Sequence, residues 1–537
     1  MILTNAGISD KKAWEEKGYS MPAFDREEMC KKTKEAPYWI HFGAGNIFRA
    51  FQANVVQNLL NDGTLDRGLV VAEGFDYEII EKMNKPHDDL TVLVTLKADG
   101  NIEKTVVGSV AESLIVDSAH ADYNRLKEIF RNPSLQMVSF TITEKGYVLA
   151  DAKGEYYPGV KSDLENGPEA PVSYIGKVAA LLYERYVNGA LPVAMVSMDN
   201  CSHNGEKLYA AVSVFAKEWE EKGLIKKGFM AYVSDEKQVS FPWTMIDKIT
   251  PRPDDKIMEL LRNDGLKDVD PIITSKNTYV GPFVNAEECE YLVIEDSFPN
   301  GIENLKKGGI IFTDRETVTK VERMKVCTCL NPLHTALAVY GCLLGYTSIS
   351  KEMESPLLRK MVERIGYVEG LPVVTDPGII KPEDFLNEVI NVRIPNPFLP
   401  DTPQRIATDT SQKLGIRFGE TIKAYVADAT KNVADLKLIP LVLAGWLRYL
   451  MAVDDNGNAF TLSPDPLLAS VCPAVEGIKL GALTEVPDAV KDLLKREDIF
   501  GMDLYKAGLA ENVLSYFLEL TGGVGAVEKT LTKYVMQ

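Results

Sequence analysis

The chain has 537 residues, more than one hydrophobic core usually holds, so at least two domains are expected. Its 59 Lys and Arg against 77 Asp and Glu leave a net charge of −18. So acidic a surface repels phosphate backbones and anionic membranes, which argues against nucleic-acid and membrane partners and leaves a small molecule as the ligand.

An anionic substrate therefore needs a local basic pocket. The N-terminus shows no signal pattern and no apolar run reaches about 18 residues, so a cytoplasmic protein is expected. Seven cysteines in a chain this long do not make a disulfide framework. Cys327 and Cys329 are one residue apart, but no second pair or histidine cluster completes a zinc site, and no metal is expected.

Residues 1 to about 36 read as a polar, helix-leaning arm. From Tyr38 apolar strands alternate with amphipathic helices. "YWIHF" is a buried strand running into Gly43-Ala44-Gly45, and Ile47, Phe51, Val55, Val56, Leu59 and Leu60 then fall on one helical face. "GLVVAEGFD" is a second strand that ends in acid. "LTVLVTL" and "IEKTVVGSV" read as strands joined by a hairpin, inserted into the βα theme. "LQMVSFTITEKGY" and "LPVAMVSMDN" are further strands with polar tips, the second displaying Asp199 and Asn200. The pattern predicts a Rossmann-like, doubly wound α/β domain over 1–300, with ligands at the carboxyl ends of the strands. Residues 301–537 read as mostly α-helical, with a buried span near Leu438 to Val453.

Two glycines in a strand–turn–helix suit a dinucleotide. Gly43 permits the sharp turn, and Gly45 lets backbone N–H groups approach a pyrophosphate at the helix N-terminus. Phe48 stands where the third glycine of the usual fingerprint belongs. That glycine serves helix–strand packing, so its loss changes packing more than binding. The candidate cofactor set is Gly43, Gly45, Asn46, Ile47, Phe48 and Arg49, with Glu73 or Asp76 placed to accept hydrogen bonds from the adenosine ribose. A carboxylate there repels a 2′-phosphate and favours NAD over NADP.

In "ERMKVCTCLNPLHTALA", Asn331 and His334 are neighbours on one helical face, with Lys325 before them. A buried lysine can take a proton from an alcohol as hydride leaves, while an amide and an imidazole hold the oxygen. The residues alone leave open the alternative of an Asn-Pro helix start with a solvated lysine. Asp247, Arg405 and Lys413 are further polar candidates, the last two as sources of local positive charge.

Together these segments resemble the mannitol dehydrogenase family of polyol-specific long-chain dehydrogenases. Gly43, Gly45, Arg49 and Ala50 match its G-x-G-x-x-x-R-A motif, so the missing third glycine looks like a family trait. "TITEKGY", "SMDN", "FPWTMIDKITP" and "EYLVIEDSFPNG" are similar to its other signatures. The resemblance implies Lys325 as zinc-independent general base and Asn331 and His334 as substrate-orienting groups. It also implies Glu322 in proton passage and Asn200, Asp247, Arg405 and Lys413 as substrate contacts. The family's spacing is K-x4-N-x2-H, and the interval after Lys325 is one residue longer here, which a π-bulge or a loosened first turn can absorb. The expectation is an NAD-dependent oxidoreductase, acting alone or as a small homo-oligomer on a sugar acid or polyol. Fructuronate/mannonate is favoured over mannitol oxidation and tagaturonate reduction. The non-enzyme alternative is a protein that senses NAD(H).

Overall fold

Short runs of apolar residues become strands buried on both faces, because helices cover each side of the sheet they form. The computed structural model describes residues 1–537. Its main sheet comprises β1 (Trp39–Phe42), β2 (Leu69–Glu73), β3 (Val110–Ile115), β4 (Met137–Phe140), β5 (Val193–Ser197) and β6 (Val239–Ser240). All neighbours are parallel and the order is β3-β2-β1-β4-β5-β6. The strand order reverses between β1 and β4, and the crevice outside the carboxyl ends there is where such sheets bind ligands. The pleat sends alternate side chains to opposite faces. Ile40, Val70 and Val138 join one core with Leu126, Leu181 and Phe215. Trp39, Val71 and Met137 join the other with Val56 and Leu59.

The expected hairpin is present. Thr91–Leu96 and Ile102–Val107 pair antiparallel, with Thr91 opposite Val107 and Leu96 opposite Ile102. Phe283–Glu287 and the two-residue strand Tyr19–Ser20 extend it on its two edges. The N-terminal arm is thus more than helical: helices Lys11–Glu15 and Arg26–Glu35 flank an edge strand, and Trp14 is buried.

The chain divides into two compact units, Met1–Leu96 with Asn101–Thr319, and Lys320–Gln537 with Lys97–Gly100. The division falls later than the expected residue 300. Ile311–Thr313 pairs with Tyr291–Glu295, which pairs in turn with Thr244–Asp247, so this three-stranded sheet carries the first unit past that point.

The second unit is helical. Leu438–Tyr449 is buried along its whole length, as expected for that span. Arg315–Leu343 is long and apolar enough to cross a membrane, contrary to the expectation that no run was, but 83% of its apolar window is buried within the protein. Beside Asn331–Leu343 lies Glu352, with no exposed surface and neither carboxylate oxygen hydrogen-bonded. A Cβ on Gly341 would lie 2.1 Å from its Oε1, so the missing side chain there makes its room. Burial pushes the Glu352 carboxyl up to about 9. The folded state then holds a proton that the unfolded chain releases near its ordinary value of 4.5, so stability falls as pH rises from there toward 9. Glu352→Gln is expected to raise the melting temperature at pH 8 and flatten its decline between pH 5 and 9, measured by thermal denaturation across that range.

Candidate active site

In the first unit the turn after β1 is shaped by backbone constraints. Gly43 has φ +112°, and a Cβ there would lie 2.3 Å from the Thr141 carbonyl oxygen. Its N–H donates to the Ala72 oxygen at 2.8 Å, fastening the turn to β2. A Cβ at Gly45 would meet no atom within 4 Å, so this glycine faces open space. Gly43 satisfies the protein's own packing, and Gly45 leaves room for a ligand.

Gly45, Asn46 and Ile47 are partly exposed, whereas Phe48 and Arg49 turn inward. Phe48 stacks on His41 of β1, ring centroids 4.5 Å apart. The helix accommodates it by opening into a π-turn over Phe48–Gln52, with the Ala53 N–H donating to the Phe48 oxygen. Packing does change at the missing third glycine: an aromatic ring on the strand replaces close helix–strand approach. Arg49 donates from Nε to Thr91 Oγ1 at 2.9 Å and from Nη2 to the Gly281 carbonyl at 2.7 Å. Both side chains hold the helix in place and do not line the cleft.

That cleft, about 650 Å³, is bounded by Gly43, Gly45, Glu73, Phe75, Asp76 and Thr143, among others. The two candidate acids differ in what they do. Glu73 accepts from the N–H groups of Ala44 at 2.9 Å, Phe75 at 2.8 Å and Asp76 at 3.2 Å. Its carboxylate therefore ties the end of β2 to the glycine turn. Burial raises its pKa, and these three donors oppose that shift. Asp76 accepts from Thr274 Oγ1 at 2.6 Å through Oδ2, while its buried Oδ1 has no partner. The open glycine, the helix N-terminus and the unmatched Asp76 oxygen fit the pyrophosphate and ribose of a dinucleotide. Phe75, 63% exposed at the rim, offers an apolar face for a base.

A second cavity of about 410 Å³ is lined by Ile47, Thr141, Asn200, Asp247 and Lys248, among others. Asn200 is exposed at the tip after β5, and Asp247 is the buried last residue of Thr244–Asp247. The two substrate-side candidates of the first unit thus share one cavity. Asp199 beside them accepts from the N–H groups of Ile142 at 3.0 Å and Thr143 at 2.8 Å, and from the Tyr147 hydroxyl at 2.5 Å. It holds Thr143 at φ +65°, an unusual conformation for a β-branched residue.

In the second unit Lys325 is 2% exposed, which removes the solvated-lysine reading. It opens a π-helical turn over Lys325–Cys329, closed by the Leu330 N–H donating to the Lys325 oxygen at 3.1 Å. An extra residue in an α-helix would rotate everything after it by about 100°; one i→i+5 turn takes it up. Asn331, partly exposed, starts the helix Asn331–Leu343 with Pro332 at its first turn. Glu322, half-buried, precedes Lys325 by three residues on the adjoining helix.

Burial pulls the pKa of His334 down to about 4, and Arg393, Arg417 and Arg405 add to this against the opposing charge of Asp401. Its imidazole is therefore neutral at neutral pH and able to donate one hydrogen bond without adding charge. Arg405, in the short helix Pro403–Ile406, is ion-paired with Asp401 just before that helix, so much of its charge is already matched. Lys413 donates to the Thr408 carbonyl, and burial and then Arg417 lower its pKa. Sequence reasoning missed Arg393 and Arg417. The Asp401-to-Arg405 spacing was a readable sign that Arg405 carries a partner.

Residues 38–307 match the family model of the mannitol dehydrogenase Rossmann domain, and residues 317–520 that of the mannitol dehydrogenase C-terminal domain. A D-mannonate oxidoreductase from Thermotoga maritima is 54% identical over 537 residues, covering 100% of this chain and 99% of the relative. The D-mannonate oxidoreductase of Escherichia coli is 31% identical over 87% of this chain and 89% of its own. Among solved structures, the ternary complex of Pseudomonas fluorescens mannitol 2-dehydrogenase with NAD and D-mannitol is 26% identical with a TM-score of 0.70, covering 100% of both chains. Both domains are matched in order and the similarity runs end to end: the chain belongs to the mannitol dehydrogenase family.

Proposed function

We propose that the protein is an NAD-dependent secondary-alcohol dehydrogenase that interconverts D-mannonate and D-fructuronate. The observation that carries the substrate is the full-length similarity to the Thermotoga maritima D-mannonate oxidoreductase. The buried lysine and the cationic surroundings of His334 support it, since they supply a base and attraction for an anion in an otherwise acidic chain.

NAD, when bound, accepts the hydride. Lys325 takes the hydroxyl proton in the same step, so that a ketone and not its protonated form is released. Asn331 and neutral His334 hold the alcohol oxygen, Glu322 passes the proton onward, and Asn200, Asp247 and Lys413 engage the remaining polar groups of the substrate. We place the enzyme in the cytoplasm as a monomer or small homo-oligomer. NADH oxidation with fructuronate, tagaturonate and fructose tests the reading. Fructuronate is expected to give the highest kcat/KM; NADH binding without turnover of any of them would make this a sensing protein instead.

Cofactor choice rests on Asp76, a residue of the cleft wall with one carboxylate oxygen lacking a partner, more than on Glu73, whose oxygens are occupied by backbone. Asp76→Ser is expected to relax the preference for NADH over NADPH, read as the ratio of kcat/KM values. Glu73→Ser leaves three N–H groups, two of them buried, without their acceptor and is expected to lower the melting temperature and weaken both cofactors. An unchanged ratio in Asp76→Ser would place the ribose elsewhere.

A further inference from the structure

Arg393, Arg405 and Arg417 act on His334, Lys413 lies near the last two, and the four cations are not equivalent. Arg405 is ion-paired with Asp401 and Lys413 is held by the Thr408 carbonyl. Arg393 is buried, at 2% exposure. Arg417 is the one positioned like a receptor. It is partly exposed, and its Nη1 donates to Thr335 Oγ1 at 2.5 Å, one residue beyond His334. It makes no ion pair, and burial lowers its pKa to about 10 with no carboxylate opposing the shift.

The backbone around it is fixed. Arg417 lies within the π-turn Gly415–Gly419, and a Cβ on Gly419 would lie 2.2 Å from the Phe500 oxygen. A Cβ on Gly415 would lie 3.0 Å from the Gly501 nitrogen. Two glycines thus press the segment against Ile499–Gly501, which sets where the guanidinium begins. Thr335 Oγ1 sets where one of its nitrogens ends, and Thr335 is in turn bonded to the Asn331 carbonyl at 3.1 Å. A half-buried guanidinium held at one nitrogen, with its remaining N–H groups unmatched by any acid, is suited to a planar anion.

We propose that Arg417 is the specificity-determining residue that receives the carboxylate of the sugar-acid substrate, distinguishing it from a neutral polyol. This rests on the reading of the enzyme as a sugar-acid oxidoreductase. The guanidinium donates two parallel N–H bonds to the carboxylate and takes no part in proton or hydride transfer. Its loss therefore weakens sugar-acid binding and spares the chemistry of neutral substrates. Lysine at this position keeps the charge but not the fork, and restores only part of the preference.

The test compares wild type, Arg417→Gln and Arg417→Lys with NAD⁺ on D-mannonate and D-mannitol. In Arg417→Gln, kcat/KM for mannonate is expected to fall roughly 100-fold, mainly through KM, as when one partner of a desolvated charge pair is removed. The mannitol value should change little, and Arg417→Lys should lie between. An equal loss on both substrates would make Arg417 a structural residue, and an unchanged mannonate KM would also overturn the proposal. The wild-type rates judge the underlying reading separately. Should wild type oxidise only mannitol, that reading fails, and competitive inhibition by D-gluconate then decides the anchor: inhibition weakened in Arg417→Gln keeps it, and inhibition unchanged or absent removes it.

Discussion

Lys325→Ala will cut turnover by roughly two or more orders of magnitude, the upper part of what loss of a general base costs. NADH binding, read by fluorescence titration, will remain, because the cleft that fits the dinucleotide is built from first-unit residues. The variant is also expected to flatten the pH dependence of alcohol oxidation, since the group that takes the proton is gone. The rival base is His334, and electrostatics argue against it. With its pKa drawn down to about 4, the imidazole is already unprotonated across the working range. It has nothing to titrate near neutrality and little proton affinity to offer. His334→Ala should therefore lower kcat/KM through poorer orientation while leaving the shape of the pH profile in place. If His334→Ala abolishes the pH dependence and Lys325→Ala only raises KM, the roles are reversed.

Gly43→Ala will abolish NADH binding or folding of the first unit, whereas Gly45→Ala will fold normally and bind NADH weakly. The contrast follows from the two backbones. At Gly43 an L-residue meets both a left-handed φ of +112° and a contact of 2.3 Å with the Thr141 carbonyl, which is backbone and has nowhere to go. The first effect alone costs more than about 1 kcal/mol, and the second forces β1 and the β4 tip apart. At Gly45 the added methyl meets no protein atom, so the fold is untouched and the methyl occupies ligand space. Melting curves separate the two: a lowered transition for Gly43→Ala only. A normal transition with normal NADH affinity in Gly43→Ala would mean the turn is not the cofactor's seat.

Much of this was legible because the signals are local. Strands buried on both faces read as unbroken apolar runs, and the glycine turn is punctuation that few residues can supply. The interval after Lys325 was legible as well: a one-residue excess in a helix calls for a wider turn, and Lys325–Cys329 forms it. The π-turn at Phe48–Gln52 had no such marker, since nothing in the spacing of that helix is irregular. The edge strand Tyr19–Ser20 is too short to show a period. Glu73 and Asp76 are alike in sequence, and only the inward turn of the Glu73 carboxylate onto three N–H groups tells them apart. The basic residues posed the same difficulty. A sequence counts charges, but which guanidinium lacks an acid depends on chain segments far apart, as with Arg417 and Thr335.

The central claim is hydride transfer between a nicotinamide and a six-carbon sugar acid, and following the hydride itself tests it most directly. The protein is incubated with D-fructuronate and NADH deuterated at the transferring carbon, and the product is examined by mass spectrometry and NMR. The account predicts D-mannonate carrying one deuterium on the newly formed carbinol carbon. Absence of labelled mannonate, with fructose converted to labelled mannitol under the same conditions, would contradict it.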